Sequence, residues 1–310
     1  MPMSKDSSYL ELRMKIYTLS YSEETFPNWA NLGDDIQSIA AARLLPRVDG
    51  HISREHLQDP VEPGILSMNG FFMGEGQWPP HPSIEPLFFA FHVTPSSAKK
   101  IFSPEGVAYL KKHQPIGCRD RGTLKLMQDH GIEAFYSKCV TLTLPRRESE
   151  PKNGRIYMVG LSEGAKSTVP RAIRKQAVTV DQAKLRVPDL GHALKAQISQ
   201  HLLDTYRRTA SLVITSKIHA AMPCIAMGIP VVFLYDKSRE DDYRVSIIQD
   251  LIGIQYVGES KIDRLLINQM RQGKIDWSPK AADIEAEKLK IKTAYLEAFE
   301  RAAARFLARG

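Results

Sequence analysis

Cysteine is scarce in this chain and odd in number, occurring only as Cys118, Cys139 and Cys224. No two of these have the spacing of a metal site or a redox pair, so buried thiols in a reducing compartment are expected. The opening stretch MPMSKDSSYLELRMK lacks the apolar core of a secretory leader. The longest apolar run, residues 220–235, is broken by Pro223, Gly228 and Pro230 and is too short to cross a bilayer. The net charge is +7 and the pI about 9.2, yet the excess is spread out, with no long Lys/Arg block and no nucleic-acid-binding module. That balance favours an anionic substrate or surface and no nucleic-acid partner. A cytoplasmic protein is expected. At most, a basic C-terminal helix would make peripheral contact with the inner face of a membrane, and packing on the protein's own core is the commoner fate of such a helix.

With 310 residues, 43% of them hydrophobic and 25% charged, the chain has the composition of a globular protein and the length of two domains of roughly 150 residues. The polar stretch 145–154, PRRESEPKNG, is the best linker. It suggests an N-terminal domain over 1–147 and a C-terminal domain over 148–310. Strand-like and helix-like segments alternate on both sides of it without an internal sequence repeat. The predicted fold class is therefore α/β, two Rossmann-like domains facing a central cleft, with a C-terminal amphipathic helix over 281–307.

In the first half, residues 15–19 (KIYTL) read as a strand. Asn31, Leu32, Gly33 and Asp34 then open a helix, with Asp34 as its N-cap and Gly33 allowing close backbone approach to a ligand. An ordinary capped turn is the competing reading. Residues 64–73 read as one strand running into a turn, with Asn69 and Gly70 at the ligand-binding carboxyl end. The loop 74–82 carries Trp78, either a contact for an acceptor or a cover for the core. Residues 87–93 read as another buried strand, its His92 structural. Arg119 falls where a strand gives way to a helix, serving either an anion or a surface ion pair with Asp120. Residues 132–136 and 140–144 read as short strands.

The second half is organised around residues 211–234, SLVITSKIHAAMPCIAMGIPVVFL. A buried strand leads to a cap at Ser216, a short helix from Lys217 and a second strand after Pro230. Such a β-α-β unit leaves the helix N-terminus at the carboxyl edge of a parallel sheet, where unpaired N–H groups and the helix dipole attract anions. Lys217 and His219 stand at that point. Asp242 and Arg244 follow the second strand at the same edge.

The segments NLGDDIQ, PIGCRDRGT with LKLMQDHGIEAFYSKCVTLTL, and VITSKIHAAMPCIAMGIPVVFL resemble the polysaccharide pyruvyl transferases, in consistent order over residues 15–257. The resemblance implies a GT-B-type fold. It also implies transfer of a pyruvyl group from phosphoenolpyruvate to a sugar of a surface polysaccharide or its lipid-linked precursor, closing a cyclic ketal. Phosphoenolpyruvate is then a donor substrate, and neither cofactor nor metal is expected. The family's Arg-Leu-His triplet falls on Lys217, Ile218 and His219, and its mid-chain arginine on Arg119. The resemblance makes His219 the general acid, with Arg119 and Lys217 on the donor. It places Gly33 and Asp34 in the N-terminal half of the cleft. Lysine replaces arginine at 217, keeping the charge and losing the bidentate fork. Asn31, Asn69, Asp242 and Arg244 complete the candidate substrate-binding set. Asp34, Asp241 and Asp242 are the candidate bases, and the oligomeric state is open. A GT-B glycosyltransferase with a nucleotide-sugar donor is the alternative enzyme, and a non-catalytic glycan-binding module the third reading.

Overall fold

Short apolar runs alternate with capped helices along the chain, and the computed structural model assembles them into parallel sheets. It describes residues 14–21, 30–72, 76–185, 190–239, 242–258 and 275–309, without the side chains of residues 71 and 72. Asp241 and part of the 74–82 loop lie outside the described residues. The chain forms two compact units: unit 1 comprises 1–27, 37–140 and 289–310, and unit 2 comprises 28–36 and 141–288. Two helices, at residues 32–42 and 285–307, therefore have residues in both units.

In chain order the first elements are β1 (Lys15–Ser20), α1 (Leu32–Ala42), β2 (Gly50–Ser53), β3 (Gly64–Ser67), β4 (Gly70–Phe72), β5 (Ile84–Leu87) and β6 (Phe91–Val93). They are followed by α2 (Pro95–Ile101), α3 (Pro104–Lys112), β7 (Ile116–Cys118), α4 (Arg121–Asp129) and β8 (Ala134–Tyr136). The strands of unit 1 form two parallel sheets, ordered β2-β1-β3-β5 and β4-β6-β7-β8. The segments 64–73 and 87–93, expected as single strands, each contribute to both sheets. Ser67 pairs with Leu87, but Gly70 pairs with Phe91, so the register slips by one residue between the two pairs. Ala90, at φ 55°, absorbs the extra residue, and its N–H is taken by Ser137 Oγ at 3.0 Å. Residues 140–143, expected as strand, form a 3₁₀ turn. Trp78 is buried, its ring 5.9 Å from that of Phe91 and 5.5 Å from that of Tyr109, which fits the core reading rather than acceptor contact.

Unit 2 continues with β9 (Arg155–Val159), α5 (Glu163–Thr168), α6 (Arg171–Gln176), β10 (Val178–Val180), α7 (His192–Thr209), β11 (Ala210–Thr215) and α8 (Ile218–Ala226). Beyond them lie β12 (Val231–Asp236), α9 (Ser246–Leu251), β13 (Gln255–Val257) and the C-terminal α10 (Glu285–Leu307). Its sheet is parallel throughout, in the order β10-β9-β11-β12-β13. Numbered within the unit this is 2-1-3-4-5, a doubly wound Rossmann-like order whose switch point lies between β9 and β11. Met158, Ile214, Val232 and Leu234 fill the core beneath it.

The apolar side of α10 packs on protein within unit 1. Tyr295 is fully buried, its hydroxyl 2.9 Å from Ser67 Oγ and its ring 5.1 Å from that of Phe89. Near the helix end Arg305 Nε donates to Glu85 Oε1 at 2.6 Å, and Arg309 pairs with the other oxygen. Burial opposes ionisation of Glu85, but His113 and Arg305 outweigh it and hold the carboxyl below its usual range. Among the described residues no helix is long and apolar enough to cross a membrane.

Candidate functional site

The turn from β11 into α8 is built differently from the expected Ser216 cap. Thr215 Oγ1 donates to Val159 O at 2.8 Å and accepts from Lys217 N at 2.9 Å, while Ser216 Oγ donates to Gly160 O at 2.7 Å. Both hydroxyls are thus spent stitching β11 to β9. Lys217 is left as the N-cap residue, in extended conformation and with no capping side-chain bond. The N–H of Ile218, in the first turn, has no acceptor among the described residues. Ile218 itself is half-buried.

A pocket of about 440 Å³ opens at this switch point, within the usual size of a small-molecule site. Its walls come from the carboxyl ends of four strands: Gly160 and Ser162 after β9, Asp181 and Lys184 after β10, Ser216 and Lys217 after β11, and Tyr235, Asp236 and Arg239 from the end of β12. Gly160 has φ 58°, and a Cβ there would lie 2.6 Å from both Cγ and Cε of Lys217. The lysine stem therefore lies directly against the glycine backbone. The Lys217 ammonium forms no hydrogen bond or ion pair among the described residues. Burial lowers its pKa; Asp181 counters that, while Lys184, Arg239 and Arg244 push the same way as burial. An anion in the pocket would relieve that mutual repulsion.

His219 is buried but does not line this pocket. Its ring lies beside the first turn of α1, where a Cβ on Gly33 would come 3.1 Å from His219 Cβ and 3.3 Å from Nδ1. Gly33 thus lets the backbone approach the histidine, where approach to a ligand was expected. Residues 28–36 belong to unit 2, not to the N-terminal half. Asn31, rather than Asp34, caps α1, its Oδ1 accepting from Gly33 N at 3.2 Å. Asp34 is buried in the first turn.

Gln182 anchors this arrangement and was missed in the sequence. Pro223 lies inside α8 and has no N–H, so the carbonyl four residues earlier, that of His219, loses its helical donor. Gln182 Nε2 fills the gap, donating to His219 O at 3.0 Å, while Gln182 O accepts from Leu32 N at 2.9 Å. One residue therefore fixes α8 through its side chain and the segment carrying Gly33 through its backbone carbonyl. A proline four residues after a candidate catalytic histidine was the available signal.

Asp242 and Arg244 are joined to each other. Arg244 Nε donates to Asp242 Oδ1 at 2.7 Å and Nη2 pairs with Oδ2, which also accepts from the Tyr235 hydroxyl at 2.7 Å. Burial opposes ionisation of Asp242, but Arg244 and Tyr235 prevail and hold it well below the carboxylate range. Burial, then the same carboxylate, pushes the Tyr235 phenol up to about 12.

In unit 1, Arg119 follows β7 and is almost fully buried rather than on the surface. Its guanidinium makes no hydrogen bond among the described residues, and its ion-pair partner, Asp120, is 3.6 Å away. Asp120 is otherwise engaged: Oδ2 lies 2.5 Å from His92 Nδ1, and Oδ1 accepts from Thr123 N at 2.9 Å. Despite the burial penalty, His92 and Arg119 hold Asp120 below its ordinary range. Asn69 is fully buried; its Oδ1 accepts from Ser67 Oγ at 2.9 Å, and its Nδ2 has no partner among the described residues. Burial pushes the Cys118 and Cys224 thiols far up. Among the described residues no cluster of three or more His, Cys, Asp and Glu side chains is arranged to hold a metal ion.

Unit 2 is thus a doubly wound α/β unit with a cation-rich pocket at the switch point of its parallel sheet. The model of the polysaccharide pyruvyl transferases, a family of transferases, matches residues 85–238, and over that span the chain is similar to the family. The match takes in Arg119, Lys217, Ile218 and His219, and leaves out Asn31, Gly33, Asp34, Asn69, Asp242 and Arg244. A search of curated proteins found no match to the chain.

Proposed function

We propose that the protein is a GT-B-type enzyme that moves the pyruvyl group of phosphoenolpyruvate onto two hydroxyls of one sugar, in a surface polysaccharide or its lipid-linked precursor. The observation that carries this reading is Lys217: a half-buried ammonium without an ion-pair partner among the described residues, held at the mouth of α8 in a pocket of suitable size. Lys217 and the Ile218 N–H would take the donor's anionic groups. Arg119 is the second cation assigned to the donor, because its buried guanidinium has donors to spare.

Phosphoenolpyruvate becomes electrophilic at C2 when C3 takes a proton. His219 is assigned as that acid, histidine being the side chain suited to proton transfer near neutral pH. One sugar hydroxyl adds to C2, phosphate leaves, and the second hydroxyl closes the ketal. Of the two hydroxyl protons released, one restores the acid and the other leaves with phosphate. Cationic groups contribute by orienting the donor and stabilising the departing charge.

Incubation with phosphoenolpyruvate and a panel of sugar acceptors should release inorganic phosphate and leave a ketal on the acceptor. Absence of phosphate release with every acceptor overturns the proposal. Release of a nucleotide from a nucleotide sugar in its place would establish the glycosyltransferase reading.

A further inference from the structure

Ketal closure needs a group that takes a proton from the attacking hydroxyl, and the pocket beside Lys217 contains two carboxylates, Asp181 and Asp236. We infer that Asp181 is the catalytic base and the acceptor-binding carboxylate, holding the two neighbouring sugar hydroxyls that become bridged. The inference rests on the proposed pyruvyl transfer and adds the group that reading lacks.

Asp181 is the first residue after β10, at the carboxyl edge of the sheet where doubly wound folds take their ligands. Its Oδ1 accepts from the backbone N–H groups of Ala183 and Lys184, both at 3.1 Å, which fixes the carboxylate in an Asx-type turn. Its Oδ2 has no hydrogen bond among the described residues and is available to a ligand. Two other aspartates are placed for different work. Asp242 is bound by Arg244, Arg239 and Tyr235. Asp34 is buried in the first turn of α1 and does not line the pocket. Asp236 lines it as well, its Oδ1 taken by Ser238 N at 2.9 Å, whereas Asp181 is the carboxylate whose charge raises the Lys217 pKa against the burial that lowers it.

A purely anionic ligand would be repelled by Asp181, whereas hydroxyl groups are the donors that a carboxylate accepts. A pocket lined by both an ammonium and a carboxylate thus suits an anionic donor next to a polyhydroxyl acceptor. In the step itself, the hydroxyl oxygen forms its bond to donor C2 as the O–H bond breaks toward Asp181. The proton then passes to the departing phosphate, which returns the carboxylate to its starting state.

The test is Asp181→Asn, which keeps an oxygen for the two backbone N–H groups and so keeps the turn. Turnover of phosphoenolpyruvate with an accepted sugar should fall roughly a hundredfold or more. Direct binding of phosphoenolpyruvate should be unchanged or tighter, because a negative charge beside Lys217 is gone. Asp181→Glu should recover part of the rate. Turnover of D181N within about threefold of wild type overturns the assignment. Should D181N fold poorly, a D181E variant with wild-type rate and unchanged acceptor KM would overturn it equally. Loss of the Asp181 role leaves wild-type phosphate release intact, whereas failure of the proposed function removes that release altogether.

Discussion

The tightest geometric constraint on Lys217 is a glycine, and replacing it tests whether the position of the lysine matters. Gly160→Ala places a methyl group 2.6 Å from Lys217 Cγ and Cε. Carbon atoms prefer separations of about 3.5–4.0 Å, so the lysine stem must retreat by roughly 1 Å. The backbone adds its own cost: at φ 58° an L-residue costs roughly 1–2 kcal/mol. The stability loss should therefore be modest, a fall in Tm of roughly 2–8 °C by thermal melting. The functional loss should be larger, since misplacing a positioning group by 1 Å can cost about a hundredfold. The assay is steady-state phosphate release, with phosphoenolpyruvate KM and kcat measured separately. The K217A background isolates the mechanism. If Gly160 acts through the lysine, adding G160A to K217A should leave donor KM unchanged while still lowering Tm, a non-additivity expected of residues in contact. Equal KM effects of G160A in both backgrounds would refute the idea that this glycine positions Lys217.

Four other outcomes follow from the same structure. His219→Asn should abolish phosphate release while leaving phosphoenolpyruvate binding within about tenfold, since histidine in general acid catalysis contributes mainly to the chemical step. Arg119→Met should raise donor KM at least about tenfold yet hold or raise Tm, because its guanidinium lacks good partners and an apolar side chain of similar size is tolerated there; a large fall in Tm would make it a structural ion pair. Asp242→Asn should lower stability by about 1–3 kcal/mol by releasing Arg244 and Tyr235, with kcat kept within about tenfold, as expected of a clamp rather than a base. Glu85 and Asp120 have depressed carboxyl pKa values, so the stability they add is present above the unfolded carboxyl pKa of about 4 and is lost as pH falls through their lower folded values. Glu85→Gln should flatten the melting temperature against pH below about 4, and an unchanged profile would count against this contribution.

What could be read from the sequence was local. The strand–helix–strand at 210–236 announces itself because both strands are continuous apolar runs, as strands buried on two faces must be, and the helix between them has an apolar stripe. Arg119 could be located at a strand end from the same alternation. Its burial could not, because the arginine that makes a surface ion pair and the arginine stranded beside an already engaged Asp120 read alike. The break in 87–93 was equally hidden: LFFAFHV is uniformly apolar, and only the pairing of its two ends with different neighbours reveals the bulge at Ala90. Asp181 and Gln182 were overlooked since each takes its meaning from a partner far along the chain: Lys217 for the one and the His219 carbonyl for the other. Such partners are set by tertiary packing, which no local window contains. The segment 28–36 shows the same limit, as it precedes most of unit 1 in sequence and yet joins unit 2 through the Ala30–Leu185 bridge.

The lysine at 217 is better understood once these partners are in place. Where the resemblance implies arginine, this chain has an unbranched stem laid against Gly160, with Thr215 and Ser216 tied to the neighbouring strand and unable to cap the helix. Among the described residues the Ile218 N–H at the N-terminus of α8 therefore has no acceptor, and the Lys217 ammonium beside it has no partner. An arginine would bring a planar fork that can grip one carboxylate or phosphate in two places. A lysine brings a point charge that leaves orientation to other groups. For the proposed donor, the Ile218 N–H is the group that would supply direction. Orientation lost at one side chain would then be recovered from main-chain geometry, which is less easily disturbed than a rotamer.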